Sequence, residues 1–284
     1  MAVEIINEFK DTKSVAVLSK ANEKETIYFI TKQQINASEQ ESVIKQIEGN
    51  PSQGLLMQND KFRKYLIEMQ YDTMTTGYNV DVISPATERD IDKNKPHYFK
   101  MVTETQEMYN TKTNQFIENM PQTEFKWIYN ILDGVSEQEN VLFKTHDFLA
   151  VLDMKWDRQR KEEIYGLVLV EDRKLHSVRS LDGSHIEMLE RIRDDTIECL
   201  SEKYGVNKNE IITFVHYLPS FWHFHVHFCS IYSPLFKSAN VNIGKAIMLD
   251  DVIQNLKLDN DYYKKVDITI KIDVKHPLYK ILVE

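Results

Sequence analysis

At 284 residues the chain is long enough to bury a sizeable core and to form one large or two ordinary domains. Its 42% hydrophobic and 28% charged residues are those of an ordinary soluble globular protein, and a net charge of -9 argues against a broad grip on long nucleic acid. Two cysteines provide no disulfide framework, and no apolar run approaches the roughly 20 residues of a membrane span.

From the N-terminus, which lacks a signal-peptide core, Ser14 to Leu18 and Thr26 to Ile30 carry the β-branched and aromatic residues of strands. A helix is expected from Ser38 to Ile47, ended by Gly49-Asn50-Pro51, and Tyr78 to Ser84 reads as a further strand closed by Pro85. Residues 1–95 are thus expected to form a small mixed α/β domain. The stretch 96–120 is polar with a helical pattern, Phe99, Met108 and Phe116 being its scattered apolar contacts, and predicts a helical connector. Residues 121–284 read as a second domain. Glu124 to Leu132 predicts a helix with Trp127 and Ile131 on one face. Val141 to Phe143 and Phe148 to Leu152 are strand candidates, and the apolar run Ile164 to Val170 predicts a central strand. Ser184-His185-Ile186-Glu187 has capping-box spacing and opens a helix reaching Lys203, with Ile186, Leu189, Ile197 and Leu200 as its buried stripe. Strand Ile211 to Tyr217, the turn Leu218-Pro219-Ser220 and a histidine-bearing strand follow. The last two strands are expected to pair antiparallel at the centre of an α+β sheet.

That final strand carries the strongest chemical signal. In Trp222-His223-Phe224-His225-Val226-His227-Phe228 the three histidines alternate, so an extended chain lines one face with imidazoles and gives the other to apolar side chains. Three readings stand open on the residues themselves. One is a structural cluster of hydrogen-bonded imidazoles. A second is a zinc site, for which the segment supplies no carboxylate, while Cys229 has the right parity but lies beyond the triad. The third, favoured here, is nucleophilic catalysis at phosphorus: an imidazole with one nitrogen pinned by a backbone carbonyl presents the other as a neutral nucleophile. The eight glycines form no phosphate-cradling loop, so side chains must hold any phosphate.

The same segment, His223-Phe224-His225-Val226-His227-Phe228-Cys229, matches the histidine triad signature, and the preceding His216-Tyr217-Leu218-Pro219-Ser220-Phe221-Trp222 is more specific still. Together they resemble the scavenger mRNA decapping enzymes, the branch of that superfamily that hydrolyses 7-methylguanosine cap remnants. Pro85-Ala86-Thr87-Glu88, Trp127-Ile128-Tyr129, Leu152-Asp153-Met154-Lys155-Trp156, Val178-Arg179-Ser180-Leu181 and Val252-Ile253-Gln254-Asn255-Leu256 agree, in the family's order from about residue 55 onward. The first fifty residues carry no recognisable motif. The resemblance implies an N-terminal dimerisation domain, a hinge and a C-terminal histidine triad domain in a swapped homodimer. Its expected partners are the 7-methylguanosine cap dinucleotide or short capped RNA and a second copy of the chain, with no membrane and no long nucleic acid. No cofactor and no metal are required. The cysteine usage suits a cytoplasmic or nuclear protein.

Residue by residue, the resemblance implies that His225 attacks the phosphate nearest the methylated guanosine and that a water resolves the phosphohistidine. His223 and His227 orient it and share the developing charge, and His216 reaches the phosphates. The methylated base is cationic, and an electron-rich ring is its natural partner. Trp127 matches the stacking residue and Met154 the opposite wall, where relatives often have leucine. Glu137 matches the carboxylate for the guanine edge, Asp153 the ribose contact, and Lys155 a cation near sugar and phosphates. Tyr165, Ser220, Lys93 and Lys245 match phosphate contacts, Lys245 standing where relatives commonly carry arginine. Phe221 and Phe62 replace family tyrosines, each losing a hydroxyl. The alternatives are another histidine triad hydrolase or nucleotidyl transferase acting on dinucleoside polyphosphates, a cap-binding regulator without turnover, and a metal-dependent hydrolase.

Overall fold

The computed structural model describes residues 2–9, 14–21, 24–32, 45, 49–50, 52, 55–59, 62–65, 78–83, 86–153, 156, 158, 160–233 and 244–284. The chain divides into two compact units, residues 1–96 and 97–284. In the first, β1 (Ala2–Phe9), β2 (Ser14–Ala21), β3 (Lys24–Lys32) and β6 (Tyr78–Ile83) form an antiparallel sheet in the order β1-β2-β3-β6. Among the described residues its buried apolar members are Ala16, Leu18 and Ile27, Ala16 and Leu18 obeying the two-residue repeat of a strand. Strands β4 (Leu55–Asn59) and β5 (Phe62–Tyr65) pair separately, and a short helix, Glu88–Asn94, closes the unit. The helix expected over 38–47 lies outside the described residues apart from Lys45.

The second unit is α+β. Its core is a six-stranded antiparallel sheet in the order β13-β11-β12-β10-β9-β8. The strands are β8 (Val141–Lys144), β9 (Phe148–Leu152), β10 (Tyr165–Val170), β11 (Ile211–His216), β12 (His225–Ser230) and β13 (Ala246–Met248). Strands β10 and β12 hold the middle, and every residue of each is buried, which is why Tyr165–Val170 reads as an unbroken apolar run. The helices Ile186–Tyr204 and Leu249–Leu258 share one apolar core with Val168, Val226 and Phe228. Phe228 lies across Gly166, its register partner; a Cβ added at Gly166 would sit 2.3 Å from the Phe228 ring. Among the described residues no helix is long and apolar enough to cross a membrane.

Three local expectations need correction. The stretch 96–120 is not helical throughout: β7 (Phe99–Glu104) pairs antiparallel with β14 (Ile268–Asp273), and only Gln106–Glu118 is helical, with a π turn at Tyr109–Thr113. Strand β7 exposes most of its side chains, so it lacks the apolar alternation that would have marked it. The capping box sits two residues earlier than expected. Asp182 accepts from the Ser184 backbone N–H, and His185 Nδ1 accepts from the Asp182 N–H, ahead of the helix Ile186–Tyr204. In the helix Lys126–Leu132 the inward face is Ile128, Ile131 and Leu132, while Trp127 is 42% exposed.

Candidate active site

Strand β12 sorts its side chains by parity. Val226 and Phe228 enter the main core, whereas Cys229 joins Tyr165 and Phe214 in a smaller cluster on the other face, the face of His225 and His227. His223 is not on the strand. It lies in the bend before β12, held by three backbone anchors: His176 Nδ1 donates to the Trp222 carbonyl at 3.0 Å, the Phe224 N–H donates to the Leu175 carbonyl at 2.7 Å, and His223 Nε2 donates to the Val170 carbonyl at 2.8 Å.

These bonds settle two tautomers, because a carbonyl only accepts. His225 Nδ1 lies 2.7 Å from the His223 carbonyl and must carry the proton, leaving the lone pair on Nε2. That Nε2 is buried and has no hydrogen-bond partner among the described residues. Burial disfavours the imidazolium and pushes the His225 pKa down to about 4. His225 is therefore a neutral base with a fixed ring and an available lone pair. For His223 the committed Nε2–H places the lone pair on Nδ1, and burial again lowers its pKa. A neutral His223 has no second proton for a phosphoryl oxygen. What His223 offers to His225 in this arrangement is its carbonyl, 2.7 Å from the His225 Nδ1.

The rings form a continuous array. His225 and His227 have centroids 4.9 Å apart, and His216, the last residue of β11, lies 4.2 Å from His227. Phe214 stacks on His227 at 5.0 Å with planes 9° apart. Phe221 stacks on His225 at 4.0 Å and meets Trp127 edge-on at 4.9 Å, so the three run Trp127, Phe221, His225. Tyr165 holds its hydroxyl 2.8 Å from His227 Nδ1.

The other expected site residues are placed as follows. Glu137 follows the helix Lys126–Leu132 and adopts a left-handed backbone, φ 55°, unusual for a residue with a Cβ. Asp153 follows directly after β9, its N–H donating to the Tyr165 carbonyl at 3.1 Å. Ser220 and Lys245 both line a cleft of about 190 Å³ with Leu218, Pro219, Lys271 and His276. Lys93 falls in the helix Glu88–Asn94, its side chain outside the described set, and Met154 and Lys155 lie outside the described residues. Among the described residues no group of three His, Cys, Asp or Glu side chains could hold a metal ion.

Sequence reasoning missed a buried network that sets the turn leading into the triad. Arg179 donates to Glu104, both side chains fully buried, and also to the carbonyls of Tyr263 and Val266. Glu104 accepts from Thr113 at 2.5 Å and from the hydroxyl of Tyr217, one residue before Leu218-Pro219. The Tyr217 N–H donates to the Lys245 carbonyl at 2.8 Å. Arg179 and Tyr217 lay within motifs already singled out, but Glu104 had no sequence signal.

Residues 126–241 match a family model described as scavenger mRNA decapping enzyme C-term binding. The m7GpppX diphosphatase of Caenorhabditis elegans is 35% identical over 236 residues, covering 82% of this chain and 74% of the relative. Those of Schizosaccharomyces pombe and Ascaris suum are 34% and 32% identical, over 80% and 79% of this chain and 76% and 74% of the relatives.

Proposed function

The chain belongs to the scavenger mRNA decapping enzyme family, and on that premise we propose that it hydrolyses 7-methylguanosine cap dinucleotides and short capped RNA fragments. The products are 7-methylguanosine monophosphate and a nucleoside diphosphate or diphosphate-ended oligonucleotide. The observation that carries this reading is His225: a buried, neutral imidazole whose Nδ1–H is bound to the His223 carbonyl and whose Nε2 lone pair is uncommitted among the described residues.

His225 Nε2 attacks the phosphorus nearest the methylated guanosine. An N–P bond forms as the bond to the bridging oxygen breaks, and the electron pair leaves with the diphosphate, a good leaving group that needs little help from an acid. Water then attacks the phosphohistidine, releasing the monophosphate and restoring the lone pair. Trp127 offers an exposed ring to the cationic base, and Glu137 the carboxylate for its N1 and N2 hydrogens. Its left-handed backbone supports a role in binding, since such strain at a residue with a Cβ persists where the side chain is needed. Asp153 and Lys155 serve the ribose and phosphates, Met154 the wall opposite Trp127, and His216, Ser220, Lys93 and Lys245 the phosphate chain. Residues of both units would then be required, in a swapped homodimer whose N-terminal domain closes each cleft. A cytoplasmic or nuclear place follows from that work.

The test is incubation with 7-methyl-GpppG in the presence of a chelator. The expected products are 7-methyl-GMP and GDP from the parent and none from His225→Asn. An active variant, or turnover abolished by the chelator, contradicts the reading.

A further inference from the structure

The three triad imidazoles differ in what fixes them. His223 and His225 are tied to backbone carbonyls, which dictate where their protons lie. His227 is tied instead to a side chain, the Tyr165 hydroxyl, 2.8 Å from its Nδ1. Tyr165 opens β10, opposite Cys229 in the register with β12, so the bond crosses two neighbouring strands on the histidine face. Either atom could in principle donate. A phenol is the stronger acid and an imidazole nitrogen the stronger base, so the favoured direction is from Tyr165 O–H to a lone pair on His227 Nδ1. Burial raises the Tyr165 pKa further, so the hydroxyl keeps its proton at any working pH.

We propose that Tyr165 is a positioning residue that holds His227 as its Nε2–H tautomer, making that nitrogen a hydrogen-bond donor to the phosphoryl oxygens. The inference rests on the decapping reading above, and it differs from a direct phosphate contact by Tyr165. Adjacent imidazoles then present complementary atoms: His225 an in-plane lone pair for attack, His227 an N–H for the charge that the attack displaces onto oxygen. Two copies of the carbonyl-bound tautomer would give two lone pairs and no donor. Phe214, stacked at 5.0 Å with planes 9° apart, keeps the His227 ring from turning over and exchanging its nitrogens. The donor is not consumed. Loss of the Nε2 proton would leave an imidazolate or a tyrosinate, so His227 hydrogen-bonds throughout and transfers nothing.

The test pairs two measurements on the full-length protein and its Tyr165→Phe variant. In ligand-free protein, nitrogen NMR of ¹⁵N-histidine, with His227 assigned through His227→Gln, reports which ring nitrogen is protonated. The wild type should show Nε2 protonated, and the variant a mixture of tautomers. Steady-state cleavage of 7-methyl-GpppG should show kcat lower by roughly 10- to 100-fold in the variant, with KM changed less than about twofold. A wild-type His227 protonated on Nδ1, or a tautomer unmoved by the substitution, overturns the proposal. So does a variant with raised KM and unchanged kcat, the pattern of a plain phosphate contact. The NMR result stands whether or not cap is cleaved, so failure of the decapping reading is recognised separately.

Discussion

His225 shows how a residue acquires reactivity from its surroundings alone. Its position was legible because the alternation of His223, His225 and His227 has no folding purpose, and the surrounding motif repeats a known family block. Its tautomer was not, since that depends on the His223 carbonyl 2.7 Å away and on the bend that aims it. With a pKa of about 4, His225 stays neutral far below the ordinary histidine range. The acid limb of kcat/KM should therefore lie near pH 4, and one centred near pH 6.5 would count against the assignment. The same shift has a stability consequence. Below about pH 6.5 the unfolded chain binds a proton that folded His225 refuses until near pH 4, so stability falls with acidification across that window. Urea midpoints at pH 7 and pH 4.5 should differ less in His225→Asn than in the parent. Trp127 makes a separate prediction. A cation–π contact is worth up to about 2 kcal/mol when desolvated, so Trp127→Leu should raise KM for the methylated cap and leave the unmethylated dinucleotide nearly unaffected. Equal loss on both substrates would point to packing. In the sequence Phe221 shows only as a missing hydroxyl; its stacking on His225 depends on the path of the turn after β11.

At the scale of elements, legibility followed burial. Strands β9, β10 and β11 carried apolar runs or alternation and were read within a residue or two. Strand β7 is largely exposed and reads in sequence as part of a helical connector, although its last residue, Glu104, belongs to a buried polar network. That network joins Glu104 to Arg179, 75 positions away, and to Tyr217, 113 positions away, separations no local pattern reports. It ties β7, the short helix Tyr262–Lys265 and the residue before the turn Leu218-Pro219-Ser220 together. Removing one partner leaves a buried charge uncompensated, so Arg179→Met should destabilise the fold by about 3–5 kcal/mol in urea unfolding. A loss below about 1 kcal/mol would show that this network does not hold the segments together. The central sheet carries a steric prediction too. Gly166→Ala places a methyl against Phe228 and the Val151 carbonyl, and should cost about 1–3 kcal/mol with β10 and β12 pushed apart.

For the whole molecule, the chain folds as two units, and the ring array from Trp127 to His216 lies within the second. The family's motifs concentrate in the second unit, whereas the first fifty residues carry strand patterning, found as β2 and β3, but no recognisable motif. If the first unit completes the cleft as proposed, light scattering should give twice the 33.5 kDa chain mass. A chain lacking residues 1–96 should then keep the histidine chemistry yet bind cap poorly. The central claim, however, concerns one bond. Single-turnover mixing with 7-methyl-GpppG followed by alkaline quench and peptide mass analysis should find 7-methylguanosine monophosphate attached to His225, absent from His225→Asn and lost as product accumulates. An adduct on another residue, or full product formation with no adduct at any time, would contradict it.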